Sequence, residues 1–251
     1  MKYEVKIEKG GYYPEIKISG DGSDLYKDGL VIDSPGEVVR INRLIVDTVR
    51  SPIIVKRAYR VIIDNALFTN FHGDAFHLRQ SNVHVRDYKG RDIKTKLPYE
   101  EWHTDVILQA FAVKEDGNTL DPEGVITNII FDNIDVECHE KEVNGVMLSE
   151  LCRYKNFQIG TSSLKLDLAI PFWLNGNNLS HSVIGGHIVD IKENEGTIPK
   201  ILLKDRPKQG VCSNHGSHNN TYFNIPGIDQ SQCGESNYIF NTAILSDTDI
   251  N

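Results

Sequence analysis

The stretch Val61-Ile62-Ile63-Asp64-Asn65-Ala66-Leu67-Phe68 decides the fold. Two short apolar runs are separated by Asp-Asn, residue types that tolerate the backbone angles of a sharp corner. The unit recurs as Ile129-Ile130-Phe131-Asp132-Asn133-Ile134-Asp135-Val136 and as Val183-Ile184-Gly185-Gly186-His187-Ile188-Val189. A weaker copy lies in Phe157-Gln158-Ile159-Gly160 and Leu164-Lys165-Leu166. Between the copies stands a further strand: Ile53-Ile54-Val55-Lys56, Phe76-His77-Leu78-Arg79, Val106-Ile107-Leu108-Gln109, Val146-Met147-Leu148-Ser149, Phe172-Trp173-Leu174-Asn175 and Ile201-Leu202-Leu203-Lys204. Its first and third positions are apolar in every copy and share one face, because strand side chains alternate. Recurrence every 23 to 40 residues is the mark of a solenoid. No Leu-rich consensus with a helix after each strand accompanies it. About three strands per turn point to an all-β chain, a right-handed parallel β-helix with Ile, Val, Leu and Phe stacked inside.

The pattern divides the chain. Residues 1–36 read as an N-terminal cap, since residues 2–8 alternate charged and apolar in the manner of a half-buried strand. A solenoid end exposes unpaired edges and needs such a lid. Residues 37–204 form the β-helix, its first coil, 38–49, being irregular. Residues 205–251 form an irregular C-terminal tail, a second lid or a segment that packs on a partner, with short strand candidates at 221–225 and 237–244. Two insertions, 88–102 and 114–124, flank the strand Val106-Ile107-Leu108-Gln109. Loops on a rigid scaffold are where sites are usually built, so the site is expected beside this strand.

Composition narrows the partners. A formal net charge of −8 with no basic stripe argues against duplex nucleic acid. No apolar run approaches 18 residues, so no membrane-spanning helix is expected. The first residues lack an apolar signal core, which implies cytoplasmic synthesis, with retention or export without a cleavable signal. Cys138, Cys152, Cys212 and Cys233 show no CxxC spacing. They read as free, buried thiols, and no metal site or cofactor is expected.

With the aliphatic residues inward, Asp105, Ile107 and Gln109 are expected outward, His77 beside Ile107 and Arg79 beside Gln109, on strands about 4.8 Å apart. Asp74 and His103 lie just upstream, and Trp173 and Asn175 two coils along. Asp105, His103, His77, Arg79 and Asp74 are the candidate catalytic residues; Gln109, Trp173 and Asn175 are the candidate substrate-binding ones. Two carboxylates can act as acid and base on a glycosidic bond. An Arg can instead neutralise a uronate while a His abstracts a proton. The same residues also fit a glycan surface without chemistry, or turn residues of a plain scaffold. A second register aligns Asp74, Asp105 and Asn144 with one another. It shifts the middle strand by one residue and turns Ile107 and Gln109 inward.

Over about residues 50–204 the repeat resembles the pectate-lyase-like superfamily of right-handed β-helices. His103-Thr104-Asp105-Val106-Ile107 resembles the Asn-Thr-Asp-Gly-Ile segment of polygalacturonase-type glycoside hydrolases, which implies a catalytic role for Asp105. Asn144-Gly145-Val146 stands where that family has paired aspartates. The chain is also similar to bacteriophage tailspike and depolymerase modules. That resemblance implies a polysaccharide-binding protein, a lyase or hydrolase of acidic or neutral polysaccharide, made in a host cytoplasm and assembled as a virion-associated homotrimer. The alternative is a non-enzymatic structural or adhesion component of a virion or cell-surface assembly.

Overall fold

The computed structural model describes residues 2–21, 26–94, 104–140, 143–148, 152–167, 169–174, 179–180, 182–186, 189–192, 219–223 and 238–240. Within them the chain forms β1 (Lys2–Ile7), β2 (Gly11–Tyr13), β3 (Ile16–Ser19), β4 (Lys27–Asp47), β5 (Ile53–Thr69), β6 (Phe76–Leu78), β7 (Val83–Arg91), β8 (Thr104–Ala110) and β9 (Val125–Cys138). Then come β10 (Val143–Leu148), β11 (Arg153–Asp167), β12 (Ala169–Leu174), β13 (Leu179–Ser180), β14 (Val183–Gly186), β15 (Val189–Lys192), β16 (Thr221–Phe223) and β17 (Tyr238–Phe240). There is no helix among the described residues. The all-β expectation therefore holds: the strands pair in parallel in one sheet curled into a half-barrel, a parallel β-solenoid-like architecture.

The long strands bend. β4 lies on β5 in three blocks, with Leu30 on Ile53, Val39 on Val61 and Leu44 on Ala66, and the register shifts between the first two. The same blocks continue as three stacks. The first holds β1, the starts of β4 and β5, then β6, β8, β10 and β12. The second runs through β7, β9, β11, β14, β16 and β17. The third is formed by β3, the ends of β4, β5, β7, β9 and β11, and β15.

In-register stacking sets like on like. Leu30, Ile53, Phe76, Leu108 and Val146 make one inward column, and Ile32, Val55, Leu78, Ala110 and Leu148 the next. All are fully buried. Each large aliphatic side chain so buried contributes about 1.5–3 kcal/mol before chain entropy is charged. Aromatic rings fill the wider middle: Phe76 packs edge-on to Tyr88 and Phe131, with centroids 5.0 Å apart in both pairs.

Four sequence expectations change here. The boundary at residues 36 and 37 falls inside β4, where Gly36 takes a positive φ of 76° and the register slips. Residues 88–91 of the first expected insertion belong to β7, and Tyr88 is a core residue. Residues 95–103 lie outside the described residues. Asp64-Asn65 and Asp132-Asn133 do not take left-handed angles. They sit within continuous strands, where Asn65 donates to the Asn42 carbonyl (3.2 Å) and Asn133 to Asp87 Oδ1 (2.9 Å). The left-handed residues are Asn82, Asn128 and Asn156, with φ of 63°, 58° and 57°, at the corner before the second stack. Their amides form a ladder: Asn156 Nδ2 donates to Asn128 Oδ1 (2.7 Å), and Asn128 Nδ2 to Asn82 Oδ1 (2.9 Å). Asn is the non-glycine residue that enters this region at least cost.

The fourth change is the register of β8. Phe76 pairs with Leu108, and His77 with Gln109, two residues further along than expected. On the other side Asp105 pairs with Asn144 and Leu108 with Val146, with a bulge between. Val106 and Ile107 thus both stand opposite Gly145. Tyr88 Oη donates to the Val106 carbonyl at 2.7 Å, inside this bulge. Gly90 leaves the phenol its room, because a Cβ there would fall 2.7 Å from Tyr88 Oη. Burial and this contact push the phenol well above its ordinary pKa.

The tail expectations are met in part. β16 and β17 fall in the two strand candidates and extend the second stack, whereas residues 201–204 lie outside the described residues. Cys138 and Cys152 are free and buried.

Candidate functional site

Outward residues of the first stack form a row in register: Lys6, Val31, Ile54, His77, Gln109, Met147 and Trp173. His77 therefore neighbours Gln109 rather than Ile107. Gln109 Nε2 in turn lies 3.6 Å from Met147 Sδ. Asp74 Oδ2 is 3.5 Å from His77 Nδ1, close enough to orient and charge-stabilise the ring. Both side chains are mostly covered.

The two registers offered by the sequence are each partly realised. Gln109 keeps the outward face of the first, and Asp105 lines up with Asn144 as in the second. The bulge reconciles them, since one extra residue reverses the alternation. Its consequence is chemical. Asp105 and Ile107 have zero exposure, and Asp105 shares the inward face of Asn144, Val146 and Leu148. The Asp105 carbonyl accepts from Ala75 N at 2.9 Å, so Asp74 and Asp105 lie on adjacent rungs. Asp74 is at the surface edge and Asp105 inside. His103 and Asn175 lie outside the described residues; Trp173 is placed only by its register with Met147.

The insertion at 114–124 folds back over this face. It closes through a Val113–Leu120 bridge and an Asp116 turn, whose carboxylate accepts from the backbone N–H groups of Asn118 and Thr119, both at 2.8 Å. These bonds, led by that from the Thr119 hydroxyl, hold the Asp116 carboxyl down at about 2. Phe111, just before the insertion, lies edge-on to His77 (4.9 Å between centroids), and the Arg79 guanidinium sits 5.5 Å from its ring centre. Three contacts tether the loop: Lys56 Nζ to Asn118 Oδ1 (2.8 Å), Arg57 Nη1 to the Glu115 carbonyl (3.2 Å) and Arg79 Nη1 to the Gly117 carbonyl (3.4 Å).

Between loop and stack a cleft of about 490 Å³ remains. Lys56 and Arg57 line it from β5, Arg79, Gln80 and Ser81 from the segment after β6, and Lys114 from the loop. Arg57 is paired with Asp33 at 2.6 Å. Lys56, Arg79 and Lys114 have no carboxylate within ion-pair distance among the described residues. Burial, and then the neighbouring Arg79 charge, lower the Lys56 pKa. Burial lowers Arg79 too, against the pull of Asp28. Asp28 is itself fully buried and gripped by both nitrogens of the Arg50 fork at 2.8 Å.

Of the residues singled out by sequence, the structure gathers Asp74, His77, Arg79 and Gln109 and separates Asp105 from them. Arg57, Gln80, Phe111 and Lys114 escaped the sequence reading. Lys56 and Arg79 carried a usable signal, each following the second apolar position of its strand, which stacks them one rung apart. No family model matches the sequence, and neither a curated protein nor a solved structure is similar to it.

Proposed function

We propose that this chain is a polysaccharide-recognising, right-handed parallel β-helix of the pectate-lyase-like kind, working as part of a tailspike or depolymerase-like assembly. The observation that carries the reading is the cleft of about 490 Å³ where the 114–124 loop folds back on the first stack. It is concave, open to solvent and lined by cations and amides. It adjoins the outward row in which His77 and Gln109 stand in register. A groove of this kind suits an extended chain of sugars, whose hydroxyls and acids need many donors.

For chemistry on that chain, β-elimination fits better than hydrolysis. Hydrolysis needs two reachable carboxylates, and Asp105 is buried. Elimination needs a base and a cation at the uronate. His77, oriented by Asp74, would take the C5 proton as the C4–O bond breaks and a double bond forms in the ring; Arg79 would hold the carboxylate. The burial of Asp105 and the cover of Phe111 over His77 favour a second reading, a binding or structural component without turnover.

A glycan array probed with the full chain tests recognition, and ultraviolet absorbance of unsaturated product tests elimination. Binding with product release lost in His77→Ala supports the lyase. Binding without release supports the second reading. No bound glycan sinks both forms of the proposal.

A further inference from the structure

We infer that the cleft beside the 114–124 loop contains an oxyanion subsite, built by Arg79 and Gln80, that selects sugars carrying a carboxylate or sulfate group. The inference rests on the polysaccharide reading and adds the charge of the ligand and the residues that read it.

Two buried donors are unfilled on one wall of the cleft. Arg79 Nε and Gln80 Nε2 are both inaccessible to solvent and have no hydrogen-bond partner among the described residues. Buried N–H groups are almost always paired, so two unfilled donors on consecutive residues lining one cleft need an acceptor. Neither residue is free to swing away and find one. Arg79 is held over Phe111 and at the Gly117 carbonyl. Gln80 is held by its own oxygen, which accepts from the Ala58 N–H. The acceptor therefore has to come to them.

Charge decides its class. Lys56 and Lys114 line the same cleft without carboxylate partners among the described residues, and Lys56 feels the Arg79 charge. Glu115 and Asp121 also line it, but Asp121 Oδ1 already accepts from the Glu123 N–H. An oxyanion accepts from a guanidinium and an amide together and gains from both lysines; a sugar hydroxyl gains from neither charge. The surface as a whole is acidic, with a net charge of −8, so a local cationic cleft also concentrates selection here rather than over the whole protein.

The test uses calorimetric titration of the full chain with oligogalacturonate and a heparin-derived oligosaccharide, each against its neutral counterpart, carboxyl-reduced or desulfated. Inorganic sulfate serves as the free-anion control. At least one acidic oligomer is expected to bind tenfold or more tighter than its neutral form and than sulfate. Gln80→Glu keeps the acceptor for Ala58 and replaces the unfilled donor with a negative oxygen. It should weaken binding of the acidic oligomer at least tenfold at an unchanged melting temperature, and the exposed Lys114→Gln by two- to fivefold. Equal affinity for acidic and neutral forms, sulfate binding as tightly as the oligomer, or an indifferent Gln80→Glu overturns the oxyanion subsite and leaves polysaccharide recognition standing. Absence of binding by these oligomers and by every neutral glycan of the array overturns both.

Discussion

The turn from β4 to β5 and the turn from β6 to β8 use the same kinds of strand and obey different geometry. In the first, partners sit 22 or 23 residues apart along the whole length, from Leu30 on Ile53 to Asp47 on Thr69. In the second, Phe76 reaches Leu108 only after the chain has passed through the insertion, and β8 then carries a bulge against β10. The regular turn spends its polar groups on itself: Thr69 and Asn70 both donate to Asp47 Oδ1, at 2.5 and 2.7 Å. The irregular turn leaves donors over, and the cleft lies there. Regular stacking satisfies the backbone and buries the core. Departures from it create concave, unsatisfied surface, which is where a ligand can be held.

The comparison can be broken at several points. The largest effect is expected at Leu148→Asp, which sets a carboxylate inside the column that ends at Ala110 and Leu148. Burying an unpaired charge costs more than a domain's whole margin of about 5–15 kcal/mol, so circular dichroism should show no cooperative melt. A variant melting with the parent protein would remove Leu148 from the interior. Leu108→Ala should cost about 2–5 kcal/mol in chemical denaturation. If β8 had the register expected from the repeat alone, Val106→Ala would behave as its equal in the Phe76 column.

Tyr88→Phe probes the bulge. It deletes the hydroxyl that satisfies the buried Val106 carbonyl, so a loss of about 1–3 kcal/mol is expected, while the same change at an exposed tyrosine such as Tyr59 should do nothing measurable. Asn128→Ala then tests the regular corner. It removes two rungs of the amide ladder and places alanine at a φ of 58°, for about 1–2 kcal/mol. Asn128→Gly should recover part of that by relieving the backbone.

The smallest effect is a pH dependence in the insertion. Asp116 has its folded pKa depressed to about 2, against about 3.9 in an unfolded chain. Its stabilisation of the loop is therefore fully present above the unfolded value and is lost as pH falls through about 2. Hydrogen exchange at the Asn118 and Thr119 amides, corrected for intrinsic rates, should show unchanged protection at pH 4. Asp116→Ala should expose both amides at neutral pH. Protection surviving that change would detach the loop's order from this turn.

Much of the fold was legible because its signal repeats. Ile53, Phe76 and Val146 each begin an apolar–x–apolar strand, and stacking needs only that their faces agree. The left-handed corner was read at Asp64-Asn65 and lies instead at Asn82, Asn128 and Asn156. Single asparagines between strands resemble ordinary loop residues until neighbouring rungs bring their amides together. At the site, His77, Arg79 and Asp74 were found from their places beside the repeat. Gln80 and Phe111 were not, since neither lies on a recurring position, and each gains its role from a partner about 20 to 50 residues away in the chain: Ala58 for Gln80, and His77 and Arg79 for Phe111.

The sequence by itself determined that this chain is all-β, winds in parallel turns and sorts its apolar residues to one face, because alternation and period are local properties repeated many times. Only the tertiary structure decided the face of Asp105 and the existence of the cleft. A bulge of one residue in β8 reverses every side chain before it, and nothing in the run Thr104-Asp105-Val106-Ile107-Leu108 marks where it falls. The cleft depends on contacts such as Lys56 to Asn118, 62 residues apart, whose geometry exists only once the turns have stacked.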